Sequence, residues 1–142
     1  MNVQTVDSDQ PANVQLVRRL YEAFELRDID GMVALTGTEM EFFPQVTASL
    51  VERSEPYRGH DGLRRYFEDA GRVWRHLEII PHEYRDLGDR VLVFGRVYAR
   101  GEGGYISDSP AAWLWRIEHD LITWGRVFTS RADALEVAGL DS

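Results

Sequence analysis

Between Ala111 and Thr129 apolar and polar side chains alternate, which predicts two β-strands joined at Glu118-His119-Asp120. On the first, Ala111, Trp113 and Trp115 share one face, and Leu114 and Arg116 the other. On the second, Gly125 and Val127 point one way, and Trp124, Arg126 and Phe128 the other. Both faces carry large apolar groups and both need covering. The chain's own helices would cover one, and a second subunit the other.

Upstream the period changes. Val17, Leu20, Tyr21 and Phe24 form the stripe of a helix that Asn13 can cap. Arg27 to Gly31 interrupts it, and Asp28 can cap a second, short helix holding Ile29, Met32, Val33 and Leu35, with Gly37 as its stop. Glu39 to Phe43 reads as a strand with Met40 and Phe42 on one face. Pro44 to His60 has no period, and a loop of that length in a compact domain suits the lid or mouth of a site. A third helix is expected from Asp61, with Leu63, Phe67, Ala70 and Trp74 at helical spacing.

Strands over Leu77–Asp86 and Arg90–Arg100 flank a turn at Leu87-Gly88-Asp89, and Gly101 to Ser109 is a glycine-rich connection. The last helix runs from Arg131 to about Ala138. Ser130 and Asp133 mark its start and Gly139 its stop. Helices first and a meander of strands after predict an α+β fold, a curved antiparallel sheet wrapped around N-terminal helices. Residues 1–12 read as a flexible tail and 13–142 as a single domain.

Charge narrows the partners. Among 142 residues, 24 acidic side chains face 16 basic ones, a net charge of -8, which disfavours nucleic acid and anionic membrane surfaces. Without cysteine there is no disulfide, thiolate metal site or Cys nucleophile. No apolar run approaches the ~20 residues of a membrane span, and the first residues lack the pattern of a signal peptide, so a cytoplasmic location is expected. The four histidines show no metal-binding spacing, and Gly101-Glu102-Gly103-Gly104 has no lysine or helix start to make a phosphate cradle. Neither metal nor cofactor is expected.

Three stretches carry a family resemblance: Leu20–Leu35 (LYEAFELRDIDGMVAL), Tyr57–Phe67 (YRGHDGLRRYF) and Ser130–Leu140 (SRADALEVAGL), together with the strand start Gly88–Val91 (GDRV). In order and spacing they resemble SnoaL-like (polyketide-cyclase-like) proteins of the nuclear transport factor 2-like fold, over nearly the whole chain. The resemblance implies a conical pocket between the concave sheet face and the helices, usually in a homodimer. It does not imply one activity, since polyketide cyclases, ketosteroid isomerases, limonene-type epoxide hydrolases and members without a known reaction share the fold.

Carried over by position, the isomerase base falls on Phe43 and its oxyanion donors on Leu20 and Trp113. Tyr21 is one residue from the donor position, a rotation of about 100° on a helix. The hydrolase Arg-x-Asp becomes Arg96-Val97-Tyr98, its second Asp Val127, and its water-holding pair Met40 and Phe42. The catalytic Asp of the cyclases also falls at Val127. Where relatives keep carboxylates, this chain has Phe43, Tyr98, Trp113 and Val127.

An aromatic, apolar pocket is therefore expected, with Met40, Phe42, Trp74, Trp113, Trp115 and Val127 as its box or simply as core. By strand parity His82, Tyr84, Arg96 and Tyr98 are the polar groups facing it, either a proton-moving set or a hydrogen-bonded cluster. A one-residue slip would turn them outward. His60-Asp61 resembles a dyad, but a charge in a helix's first turn explains Asp61 as well. His76 would lie at a helix–strand junction and His119 in a turn. Trp124, Phe128, Leu114 and Val97 fall on the opposite face, where a homodimer interface would bury them. The leading function is binding of a small hydrophobic molecule. The alternatives are an isomerase or cyclase acting on a polycyclic or ketone substrate through the four polar groups, and a filled cone with an interaction role.

Overall fold

The computed structural model describes residues 11–44, 55–104 and 106–140. Most of the expected tail, and positions 45–54 of the expected lid, lie outside the described residues. Helix α1 (Ala12–Glu25) buries Val17, Leu20, Tyr21 and Phe24 along one stripe. Asn13 does not cap it: its Nδ2 donates to the Gly88 carbonyl at 2.7 Å and ties the start of the helix to a distant turn. Asp28 caps α2 (Ile29–Ala34) by accepting from the Gly31 N–H at 2.9 Å. Gly37 is not needed to stop that helix, because strand β1 (Thr36–Pro44) has already begun.

A short strand β2 (Tyr57–Arg58) leads into α3 (Gly59–Val73). Trp74, read as the last member of that helix's stripe, instead opens β3 (Trp74–Asp86). After β4 (Arg90–Gly101) a tight turn at Glu102–Gly104 takes the place of the expected long connection, and β5 (Ile106–Glu118) starts at once. β6 (Leu121–Phe128) and α4 (Arg131–Val137) follow, α4 capped by the Ser130 hydroxyl accepting from the Asp133 N–H. His119 and Asp120 both adopt positive φ, the twist a two-residue hairpin needs.

Six strands form one curved, unclosed sheet in the order β2-β1-β6-β5-β4-β3. Neighbours are antiparallel except β1 and β6, which run parallel because the chain crosses over through α3 and β3–β5 between them. The inner face packs on α1, α2 and α3 through Val91, Val93, Trp113, Trp115 and Ile122. The outer face has its own core, where Leu92, Phe94, Leu114 and Phe128 meet Ala134, Leu135 and Ala138 of the C-terminal segment. Leu114 and Phe128 are therefore covered by the chain itself rather than by a partner.

One irregularity decides which side chains face in. The β3–β4 register jumps between Pro81 and Glu83, leaving His82 as an extra residue. At the crossing, a Cβ on Gly95 would stand 2.1 Å from the Ile80 carbonyl oxygen, so only glycine fits. Leu77 and Ile79 before the bulge, and Tyr84 after it, pack on the inner core despite their odd and even numbers.

Candidate functional site

Between the concave face and the helices lies a cavity of about 110 Å³. α1 and α2 contribute Leu20, Tyr21, Phe24 and Met32, α3 contributes Leu63, Tyr66 and Phe67, and β1 contributes Met40 and Phe42. The opposite wall is Trp74, Leu77, Ile79, Val97, Ala99, Trp113, Trp115 and Val127. Met40 and Trp113 are fully buried, whereas Ser107 and Ser109 are half-exposed and Pro110 is exposed, so the cavity reaches the surface at that end. Among the described residues its lining contains no charged side chain. An apolar cavity of about 150 Å³ accepts a benzene ring, so this one has room for about a single ring.

Aromatic contacts set the wall. Trp115 stacks on Phe42 with ring centroids 5.7 Å apart and planes 8° from parallel. It lies over Gly125, where a Cβ would come within 2.3 Å of the indole. Tyr66 meets Phe42 edge-on at 5.0 Å. Tyr21 makes edge contacts with Trp113, Trp115 and Tyr84 at 5.7, 6.2 and 6.1 Å, and its hydroxyl oxygen accepts from Trp115 Nε1 at 3.1 Å. Burial pushes the Tyr21 phenol well above its ordinary pKa, outweighing the hydrogen bond from Trp115.

The polar set expected from strand parity is not assembled. His82 occupies the bulge and is exposed. Arg96 lies on the outer face, paired with Asp108 at 2.9 Å, and Tyr98 shares that face with His76, ring centroids 5.9 Å apart. Val97, expected outside, lines the cavity, and Phe43, the position of the isomerase base, packs outside against Trp124. Of the four, Tyr84 alone is turned inward. It is half-buried beneath the Arg18 guanidinium, 4.4 Å from its ring centre, and burial raises its pKa despite that cation. His60 and Asp61 form no dyad, since His60 Nε2 lies 3.0 Å from the Thr36 carbonyl oxygen. Met40, Phe42, Trp74, Trp113, Trp115 and Val127 do line the cavity.

Two features escaped the sequence reading. Tyr21, a core position by its place in the α1 stripe, also lines the cavity and carries a hydroxyl that is bonded to Trp115. Asp69 is buried in α3 and accepts from the Tyr57 hydroxyl at 2.7 Å, from Arg65 at 3.2 Å and from Arg72. Burial works against its ionisation, but these three donors prevail and hold its pKa below the ordinary carboxylate value. Among the described residues no three His, Asp or Glu side chains gather as metal ligands. The sixteen basic residues are all arginine, so no lysine is available for imine chemistry.

The sequence model of the SnoaL-like domain matches residues 17–124. The chain belongs to the SnoaL-like family. No curated protein matches it in sequence. Among solved structures, this SnoaL-like chain is similar to an NTF2-like protein of unknown function from Burkholderia pseudomallei K96243. They share 21% identity and a TM-score of 0.78 over 89% of this chain and 97% of that one. It is similar to TerC, crystallised with polyporic acid, at 19% identity and a TM-score of 0.77 over 91% and 99%. A Mycobacterium tuberculosis protein in complex with estradiol-17β-hemisuccinate aligns at 17% identity and a TM-score of 0.71 over 86% and 96%. At these identities the likeness is one of fold. The α+β architecture with N-terminal helices against a curved sheet is common to them.

Proposed function

We propose that this SnoaL-like protein binds a small, ring-bearing hydrophobic molecule in its cavity. The observation that carries the reading is a cavity walled by aromatic and aliphatic side chains, with no charged side chain among the described residues of its lining. Such a site favours apolar surface by about 25 cal/mol per Å² removed from water and penalises an unpaired ion. The organic ligands held by two structures of the same fold support a ring-bearing occupant. A ligand larger than one ring would extend past Ser107 and Ser109 toward the opening. The dispersal of His82, Arg96 and Tyr98 leaves isomerase or cyclase chemistry without the proton-moving set read from the sequence. A second copy of the chain would sit on the part of the outer face that α4 leaves open, where Ile80 and Ile106 are exposed.

Titration with single-ring and fused-ring apolar compounds, followed by tryptophan fluorescence and calorimetry, tests the reading. Ala99 is buried in the wall, and Ala99→Leu fills the space with apolar atoms. Saturable binding weakened at least about tenfold in the folded variant is expected, since a bulkier side chain and a ligand cannot share the volume. No saturable binding by the native chain, or equal binding by the variant, refutes a ligand in this cavity.

A further inference from the structure

Away from the cavity, one part of the outer sheet face gathers cations without matching acids. Arg58, Arg64, Arg65, Arg72, Arg85 and Arg96 each hold an acidic side chain. Arg116 and Arg126 are exposed and, among the described residues, have no acidic partner. Arg90 stands directly opposite Arg116 on the neighbouring strand, and Asp89 reaches it only at 3.9 Å, beyond hydrogen-bond length. Like charges opposite one another on adjacent strands repel. The acids nearby are engaged elsewhere, since Glu41 pairs with Arg58 and Glu118 accepts from Thr123 at 3.0 Å.

These cations frame an aromatic pair. Trp124 and Phe43 are half-buried with ring centroids 5.9 Å apart, and α4, which seals Leu114 and Phe128, leaves both partly open. The Arg116 guanidinium lies over the Trp124 ring at 5.8 Å, and that of Arg126 over Phe128 at 4.7 Å. A guanidinium whose face is turned to a ring keeps its in-plane N–H groups for a carboxylate.

We propose that this patch docks a short acidic segment of another polypeptide, an apolar side chain resting on Trp124 and Phe43 and carboxylates on Arg90, Arg116 and Arg126. Charge complementarity selects that partner. A second copy placed symmetrically here would set arginine against arginine. It has other ground at Ile80 and Ile106, since Ile106 begins β5 and Arg116 lies near its end. A nucleic acid would run past the patch into the field of a molecule of net charge -8. A short peptide stays within the local positive field, because screening limits its reach to about 8 Å at physiological salt. Tryptophan and arginine are also the side chains on which binding energy at protein interfaces concentrates.

A fluorescein-labelled peptide with glutamates flanking a Leu-Phe pair is titrated against the full chain and followed by anisotropy. Its glutamine counterpart and an oligouridylate of similar length are titrated alongside. Saturable binding of the glutamate peptide is expected, at least about tenfold tighter than that of the glutamine peptide. Arg116→Gln/Arg126→Gln should weaken it about tenfold. Arg19→Gln/Arg64→Gln removes the same charge from α1 and α3 and should leave it within about twofold. The Trp124 indole N–H resonance of the native chain should shift on titration, which locates the contact even if a variant does not fold. No saturable binding, equal binding of the glutamine peptide, an unmoved Trp124 resonance, or equal losses in both double variants overturns the proposal. Tighter binding of oligouridylate through the same two arginines overturns it in favour of a nucleic-acid face. A dimer seen by sedimentation that dissociates in Arg116→Gln/Arg126→Gln alone overturns it in favour of a second copy.

Discussion

Gly125 is the residue on which the inner wall depends most sharply. A Cβ there would stand 2.3 Å from Trp115 Cζ3 and 2.4 Å from Cε3. The indole has little freedom to yield, because it is stacked on Phe42 on one side and bonded to Tyr21 through Nε1. Gly125→Ala should therefore push the ring off its stack and cost about 1–3 kcal/mol of stability, read as a lower urea midpoint at unchanged slope. Strand alternation places Gly125 and Trp115 on a common face. Their contact was not legible, because alternation names a face and says nothing of which neighbour fills the missing side chain.

At the scale of elements, Asp69 joins α3 to β2 through the Tyr57 hydroxyl, with Arg65 and Arg72 on its other oxygen. Its folded pKa is lowered, so its contribution to stability is present above the unfolded value of about 3.9 and disappears as the pH falls through the folded one. Asp69→Asn should cost about 1–3 kcal/mol at neutral pH. Its urea midpoint should fall less steeply than the native one below pH 4, and the two curves should approach each other in acid. Periodicity left this carboxylate as an ordinary polar position of a helix. β3 shows the same limit in another form. Its existence and its turn at Gly88 were readable from alternation and turn chemistry, and Asp86 does accept from the Gly88 N–H. The bulge at His82 was not, because a single inserted residue leaves composition and strand length unaltered while exchanging the faces beyond it. The bulge accounts for the exposure of His82, whereas Arg96 and Tyr98 face outward because β4 alternates without a break, with Val91, Val93, Val97 and Ala99 on the inner side. The box of Met40, Phe42, Trp113 and Trp115 lies on strands where alternation held through these positions, and it was legible.

The whole molecule is a sheet between two cores, one shared with the cavity and the other sealed by α4. Leu135 sits in the second at 4% exposed. Leu135→Ala should cost about 2–5 kcal/mol of unfolding free energy. Phe128 belongs to both this core and the cavity lining, but the sheet stands between Leu135 and the ring-bearing wall, so ligand affinity measured by calorimetry well below the melting temperature should stay within about twofold. Equal losses in stability and affinity would mean that the sheet transmits strain between its two faces. The close approach of Gly125 and Trp115 also fixes the order in which this wall can be rebuilt. Replacing the tryptophan by a smaller residue first avoids the destabilised intermediate that a side chain at position 125 creates beside the indole. The two positions are thus a single heritable unit, and a library that varies them one at a time will miss the pairs that work.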